Sequence, residues 1–380
     1  MVNSPTSKSP TILFAGGGTG GHLMPALAIG SALRRAHPEW RVVLVGAQRG
    51  VEAKLLPTRD FPFHLLAAEP IYRRQWWKNV RWPFLAIKLL RQVRQVLDEE
   101  RPALVVGTGG YASGPVVWLA ARRGIPTAIL EQDAYPGLTT RWLAKSVKLI
   151  FLGSHSANEH LKPSSSTEVI HTGSPITPPE PGRRAAALAR FGLEEGHDPV
   201  LLISCGSQGS LAINRLVAEW LGHGGGNGLT VLWATGRASF EEFRHMAALP
   251  RIQVFEFLDP IADAYAIADL AVCRAGMMTI AELAAWGIPA ILIPLPTAAN
   301  DHQTANARSM SDAGAAVYVG QGDLTWITLG EKIHMLVRDV AGLAEMRRRA
   351  LSLGRPGAVG VILERLEGLV SRSSAFPNSR

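Results

Sequence analysis

Gly16-Gly17-Gly18-Thr19-Gly20-Gly21 follows a short apolar run, residues 11–15, and precedes a helix-length segment that begins at Leu23. Glycines at this spacing let backbone N–H groups close on a phosphate or another reacting ligand, and the start of the next helix favours an anion. His22 follows the loop directly. An imidazole there can act as the base that deprotonates a hydroxyl. The same residue read in isolation could equally cap or pack its helix. A loop of this pattern also suggests a dinucleotide, and that reading makes a demand. An acid should stand about 20 residues on, at the end of the second strand, to hold ribose hydroxyls. The second strand, residues 42–45, runs instead into Gly46-Ala47-Gln48. The nicotinamide-dinucleotide reading fails there.

The elements that must carry this loop alternate between strand and helix. Apolar strand-like runs stand near residues 11–15, 42–45, 64–66, 104–107, 126–130, 148–151 and 168–171. A stretch with four prolines, residues 174–182, then reads as a linker. The series restarts near 199–205, 229–235, 252–255, 269–272, 288–293 and 315–318. This is the pattern of doubly wound parallel sheets, an α/β fold class with two Rossmann-like domains. Each half opens with a strand running into a glycine-rich turn, the second at Gly206-Ser207-Gln208-Gly209. Two such units create a cleft lined by the carboxyl ends of both sheets. The expected division is 1–176, 177–355 and a C-terminal helix with tail, 356–380, whose last ten residues should fray.

A length of 380 residues accommodates two domains, each with its own core. No apolar run reaches the roughly 18 residues of a membrane span, and the polar N-terminus lacks the apolar core of a signal peptide, so a cytoplasmic location is expected. Cys205 and Cys273 end strand-like runs and read as small buried thiols in a reducing compartment. No His or Cys spacing suits a metal.

The formal charge of +8 is concentrated. Arg73, Arg74, Lys78, Arg81, Lys88, Arg91 and Arg94 fall in residues 71–97 with no acid among them. The remainder is near neutral, which argues against a general nucleic-acid binder. Tyr72, Trp76, Trp77, Trp82 and Phe84 interleave with those cations. Tryptophan prefers headgroup depth, and Lys/Arg attract anionic lipid. Arg73, Arg74, Trp76, Trp77, Arg81 and Trp82 are therefore the expected membrane contact. For residues 84–97 an ordinary helix packed on its sheet competes with an interfacial one.

Eight blocks occur in order: GGGTGGHLMPALAIG, GTGGYASGP, EQDAYPGLTTRWLA, TGSPI, CGSQGSLAIN, VCRAGMMTIAEL, GIPAILIPLP and DHQTANA. Together they resemble the MurG family, the transferases that add N-acetylglucosamine to the lipid-linked muramyl-pentapeptide precursor of peptidoglycan. The resemblance covers residues 11 to about 320. It implies a GT-B fold, an acceptor held mainly by the first domain and UDP-GlcNAc mainly by the second. The implied reaction is an inverting displacement in which the muramyl 4-hydroxyl attacks the anomeric carbon and UDP leaves. That needs a base for the hydroxyl and stabilisation of the departing diphosphate.

By the same resemblance His22 and Glu131 are the catalytic candidates. Gly18, Gly109, Gly110 and Tyr111 would meet the acceptor. Thr19, Gly20, Gly21, Asp133, Thr177, Ser207, Gln208, Leu258, Met277, Met278, Thr279, Ile280, Ala281, Glu282, His302 and Gln303 would meet the donor, with Glu282 accepting the ribose hydroxyls. The sequence departs from the family at several of these places. Asp133 stands for an asparagine, Thr177 for an arginine, Ser174 for an asparagine, Leu130 for a histidine and Cys205 for a glycine. An ionised Asp133 can only accept hydrogen bonds, and Thr177 forgoes a charge-assisted phosphate contact.

No cofactor is required, although loosely bound Mg²⁺ is compatible with the chemistry. The expected partners are UDP-GlcNAc, the undecaprenyl-pyrophosphoryl-muramyl-pentapeptide and an anionic membrane surface at the inner face of the cell membrane. Two other readings remain: a related GT-B enzyme acting on another lipid such as a diacylglycerol, and a nucleotide-sugar-binding protein without turnover.

Overall fold

The computed structural model describes residues 9–18, 20–50, 52–69, 82–180, 182–206, 208–298 and 301–375. Thr19, Ser207, Arg73, Arg74, Trp76, Trp77 and Arg81 lie outside the described residues. The chain divides into two compact units, residues 1–175 with 357–380, and residues 176–356.

In the first unit β1 (Thr11–Gly16), α1 (Gly20–Ala36), β2 (Arg41–Ala47) and the single turn α2 (Glu52–Leu55) lead to β3 (Phe63–Leu66). Then come α3 (Trp82–Glu100), β4 (Leu104–Gly109), α4 (Ser113–Arg122), β5 (Thr127–Glu131) and α5 (Leu138–Leu143). Strands β6 (Leu149–Leu152) and β7 (Glu168–His171) complete a seven-stranded sheet of order β3-β2-β1-β4-β5-β6-β7. Every pairing in it is parallel.

The second unit runs α6 (Arg183–Phe191), β8 (Val200–Ser204), α7 (Leu211–Gly222), β9 (Thr230–Ala234), α8 (Phe240–Phe243) and β10 (Ile252–Phe255). It continues with α9 (Ile261–Tyr265), β11 (Leu270–Cys273), α10 (Met277–Trp286) and β12 (Ala290–Leu292). Last come α11 (His302–Asp312), β13 (Ala316–Tyr318), α12 (Trp326–Arg338) and α13 (Val340–Leu353). Its six parallel strands have the order β10-β9-β8-β11-β12-β13. The thirteen strands fall where the apolar runs predict them.

Alternation along each central strand feeds two apolar layers. Ile12 and Phe14 pack with Leu23, Ala26, Ile29 and Leu33 of α1 on one face, while Leu13 and Ala15 pack with Val93, Leu97, Val116 and Val117 from α3 and α4 on the other. In the second sheet Val200 and Leu202 face α6, α9 and α10, and Leu201 and Ile203 face α7 and α12.

The final helix, α14 (Ala358–Ala375), belongs to the first unit. Ile362, Leu366 and Val370 are buried in the layer that α1 also covers, each contributing about 2 kcal/mol of apolar burial. His37 Nε2 lies 2.8 Å from Glu367 Oε1 and ties the two helices together. The helix extends to Ala375, so the fraying expected from residue 371 is corrected: Ser371 is helical and its hydroxyl donates to the Glu367 carbonyl. The linker is also shorter than expected, because Ser174, Pro175 and Ile176 are buried and the exposed positions are Thr177, Pro178 and Glu180.

Candidate active site

Each sheet reverses its strand order at one place, between β1 and β4 in the first and between β8 and β11 in the second. Crevices at the carboxyl ends of such neighbours are where open α/β sheets take ligands, since the loops diverge to opposite faces. Both glycine turns leave the sheet there.

In the first unit the loop after β1 meets the turn after β4. The Gly17 N–H donates to the Gly109 carbonyl at 3.2 Å. Gly18 (φ +105°) lies so close to Tyr111 that a Cβ would come within 2.6 Å of its ring. Gly109 and Gly110 also have positive φ, and they form the seat of the His22 ring. A Cβ on Gly109 would fall 2.5 Å from His22 Cδ2, and one on Gly110 would fall 3.0 Å from Nδ1 and 1.8 Å from the Gly17 carbonyl oxygen. The structure thus brings together Gly18, Gly20, Gly21, His22, Gly109, Gly110 and Tyr111. His22 is partly exposed.

Two polar residues that the motif reading did not single out brace the loop. Thr108 Oγ1 donates to the His22 carbonyl at 2.8 Å, and Gln132 Nε2 reaches the carbonyls of Gly21 and Thr108 at 3.3 Å. Both stand inside the blocks GTGGYASGP and EQDAYPGLTTRWLA, but their bracing of this loop depends on β4 lying beside β1 and β5 beside β4.

Glu131, at the end of β5, is 5% exposed. Its carboxylate accepts the N–H groups of Asp133 (3.1 Å) and Gly137 (3.0 Å) and so shapes the loop into α5. Burial pushes its carboxyl up to about 7; a hydrogen bond from Thr140 opposes that, and the nearby Asp133 charge adds to it. The folded chain therefore holds this proton more tightly than the unfolded chain. The stabilisation is fully present below the ordinary value of 4.5 and is lost as pH rises through about 7. Its size is about 3 kcal/mol, at about 1.4 kcal/mol per pKa unit. Glu131→Gln should flatten the fall of unfolding free energy across that window, measured by urea titration at acidic and mildly basic pH. An unaltered fall in the variant would assign the slope to other groups.

In the second unit the turn after β8 leads through Gln208, which is exposed, to α7. Arg274, just after β11, organises this crevice. It donates to the Ile293 and Pro294 carbonyls (3.1 and 2.9 Å), to Ser210 Oγ (2.8 Å) and to Gln321 Oε1 (2.7 Å). Helix α10 begins at Met277 without a side-chain cap, which leaves its first amides for a ligand. Met277, Met278, Thr279 and Ala281 are partly exposed, whereas Ile280 turns into the core.

Glu282 accepts the Tyr265 hydroxyl at 2.8 Å, and burial pushes its carboxyl up to about 7. Gln303 Oε1 accepts the Leu295 N–H at 2.9 Å, on the first turn of α11, which His302 opens. Asn306, one turn on, donates to the Ala275 carbonyl at 3.2 Å. Leu258 is 1% exposed and belongs to the core, so the structure does not present it to a ligand. Thr177 is exposed. Cys205 is buried, which pushes its thiol up to about 12, and Cys273 is raised as well, so neither is a nucleophile.

Two parallel doubly wound units, each with a glycine turn at its switch point, are the parts of a GT-B fold, and the family matches make it a glycosyltransferase. Residues 12–152 match the Glycosyltransferase family 28 N-terminal domain and residues 200–359 the Glycosyltransferase family 28 C-terminal domain. The chain is 37% identical over 376 residues to the UDP-N-acetylglucosamine–N-acetylmuramyl-(pentapeptide) pyrophosphoryl-undecaprenol N-acetylglucosamine transferase of Desulforudis audaxviator, covering 96% of this chain and 99% of that one. It is 34% identical over 366 residues to the transferase of the same name from Bacillus subtilis, covering 94% and 99%. The crystal structure of Acinetobacter baumannii MurG superposes with a TM-score of 0.71 at 28% identity, covering 94% of this chain and 99% of that one. The chain belongs to the MurG family of family 28 glycosyltransferases.

Proposed function

We propose that this chain transfers N-acetylglucosamine from UDP-GlcNAc to the 4-hydroxyl of the lipid-linked muramyl-pentapeptide, the step its relatives are named for. The observation that carries the residue roles is the seating of His22 against Gly109 and Gly110, at the carboxyl ends of β1 and β4. His22 takes the proton of the acceptor hydroxyl as that oxygen attacks the anomeric carbon. The bond from that carbon to the UDP oxygen breaks, with inversion. The uncapped start of α10 and the amides of the turn after β8 stabilise the departing diphosphate. Glu282 holds the ribose. Glu131 acts by holding the loop that carries Asp133, since its oxygens are engaged by that loop's own amides. In this scheme the donor is held without a metal, with Mg²⁺ at most loosely associated. UDP release that depends on a lipid-linked muramyl-pentapeptide analogue tests the assignment. Release only with a diacylglycerol, or donor binding without release, would replace it with one of the two other readings.

The same reading puts the enzyme at the inner face of the cell membrane. No helix among the described residues is long and apolar enough to cross a bilayer. Helix α3 packs Leu89, Val93, Val96 and Leu97 on the sheet yet leaves Phe84 79% and Ile87 53% exposed beside Lys88 and Arg91. Exposed apolar side chains bordered by cations suit an anionic interface. Replacing Arg73, Arg74, Trp76 and Trp77 together, with Phe84→Ser and Ile87→Ser, should cut binding to phosphatidylglycerol vesicles about tenfold or more, at about 1 kcal/mol per cation. Unchanged co-sedimentation would remove this surface from the account.

A further inference from the structure

Glu52 is fully buried, and nothing in the transfer chemistry above uses it. It opens α2, yet its carboxyl lies against the glycine loop, where Oε1 accepts the Gly18 N–H at 2.7 Å. Its side chain occupies a slot that three glycines keep clear. A Cβ on Gly17 would fall 3.2 Å from Glu52 Cδ, one on Gly46 would fall 2.6 Å from Glu52 Cβ, and one on Gly50 would fall 1.6 Å from Oε2. Oε2 has no hydrogen-bond partner among the described residues. Burial drives this carboxyl toward its neutral form, against hydrogen bonds from backbone amides that include Gly18. A group that only filled space here would be apolar, because an incompletely paired buried carboxyl costs free energy.

The other side of the same strap faces the acceptor turn. Gly17 bonds to Gly109, Gly18 abuts Tyr111, and Gly109 and Gly110 seat His22. We propose that Glu52 is a positioning residue, its carboxyl oxygen clamping Gly17 and Gly18 against the turn at Gly109–Tyr111 and thereby fixing His22 for the acceptor hydroxyl. This rests on the reading of His22 as the base.

Two substitutions of similar volume separate the oxygen from the packing. Glu52→Gln keeps an acceptor for the Gly18 N–H, and Glu52→Met fills the slot without one. Glu52→Met should lower kcat by about 10- to 100-fold, the scale of a small misplacement of reacting groups, while the donor KM stays within about twofold. Amide hydrogen exchange of residues 15–22 should quicken in the same variant. Glu52→Gln should stay close to the parent in both readouts. Parent-like kcat and exchange in Glu52→Met overturns the proposal, as does a donor KM that worsens in step with kcat. Should Glu52→Met not fold, Gly50→Ala reaches the same carboxyl by displacing Oε2, with the same two expected changes and the same overturning result. Full activity in His22→Ala would sink the catalytic reading itself. That failure is distinguishable, because the exchange readout does not pass through His22.

Discussion

His22→Ala should lower kcat by about 10²-fold or more while the affinity for UDP-GlcNAc stays nearly unchanged, since general-base assistance is worth about 10²–10⁴-fold. The magnitude follows from the chemistry. A sugar hydroxyl is a weak nucleophile until its proton is removed, and the proton must go to a group within hydrogen-bond reach. In the first unit the partly exposed imidazole of His22 stands at the switch point, where the acceptor is proposed to bind. His22 is not among the donor-binding candidates, most of which belong to the second unit, so the loss should appear in kcat rather than in donor Kd. His22→Gln, which keeps a polar side chain on the Gly109–Gly110 seat, should be as slow as the alanine variant. A parent-like kcat in either variant removes His22 as the base.

Glu282→Ala is expected to weaken UDP-GlcNAc binding about 10- to 100-fold, the equivalent of about 1.5–3 kcal/mol for a hydrogen-bonded charged group. Tyr265 donates to Oε2 of this carboxyl and orients it, and in the proposed scheme Oε1 takes the ribose. The two kinetic signatures should differ: donor Kd changes here, and kcat at saturating donor moves little. Tyr265→Phe should reproduce part of the effect, because it releases Glu282 and removes the hydrogen bond that favours its charged form. Isothermal titration with UDP-GlcNAc reads both, and an unaltered Kd in Glu282→Ala would count against the ribose role.

The strands were readable because a parallel strand covered on both faces is a largely continuous apolar run. His22 and the two glycine turns were readable because the functional groups are adjacent in sequence. Glu52 was not. It lies beyond the end of β2, where the search for a ribose-binding acid stops, and it reaches the glycine loop only because β2 pairs with β1. Its one local trace is the pair Gly46 and Gly50, spaced to clear its side chain.

Thr108, Gln132 and Arg274 stand inside quoted blocks, but their contacts were not readable there, because each braces a loop that arrives on a different strand. Leu258 shows the converse. The family resemblance set it against the donor, whereas it is buried in the core of the second unit. The return of α14 to the first unit could not be read from its periodicity, which shows an apolar stripe but not which sheet receives it.

The most direct test of the account is transfer of labelled N-acetylglucosamine from UDP-GlcNAc to a soluble-tailed analogue of the lipid-linked muramyl-pentapeptide, run beside the 4-deoxy form of the same acceptor. The account predicts label on the first acceptor, with equimolar UDP released, and none on the second. No transfer to the 4-hydroxyl acceptor, or equal transfer to the 4-deoxy one, would contradict it.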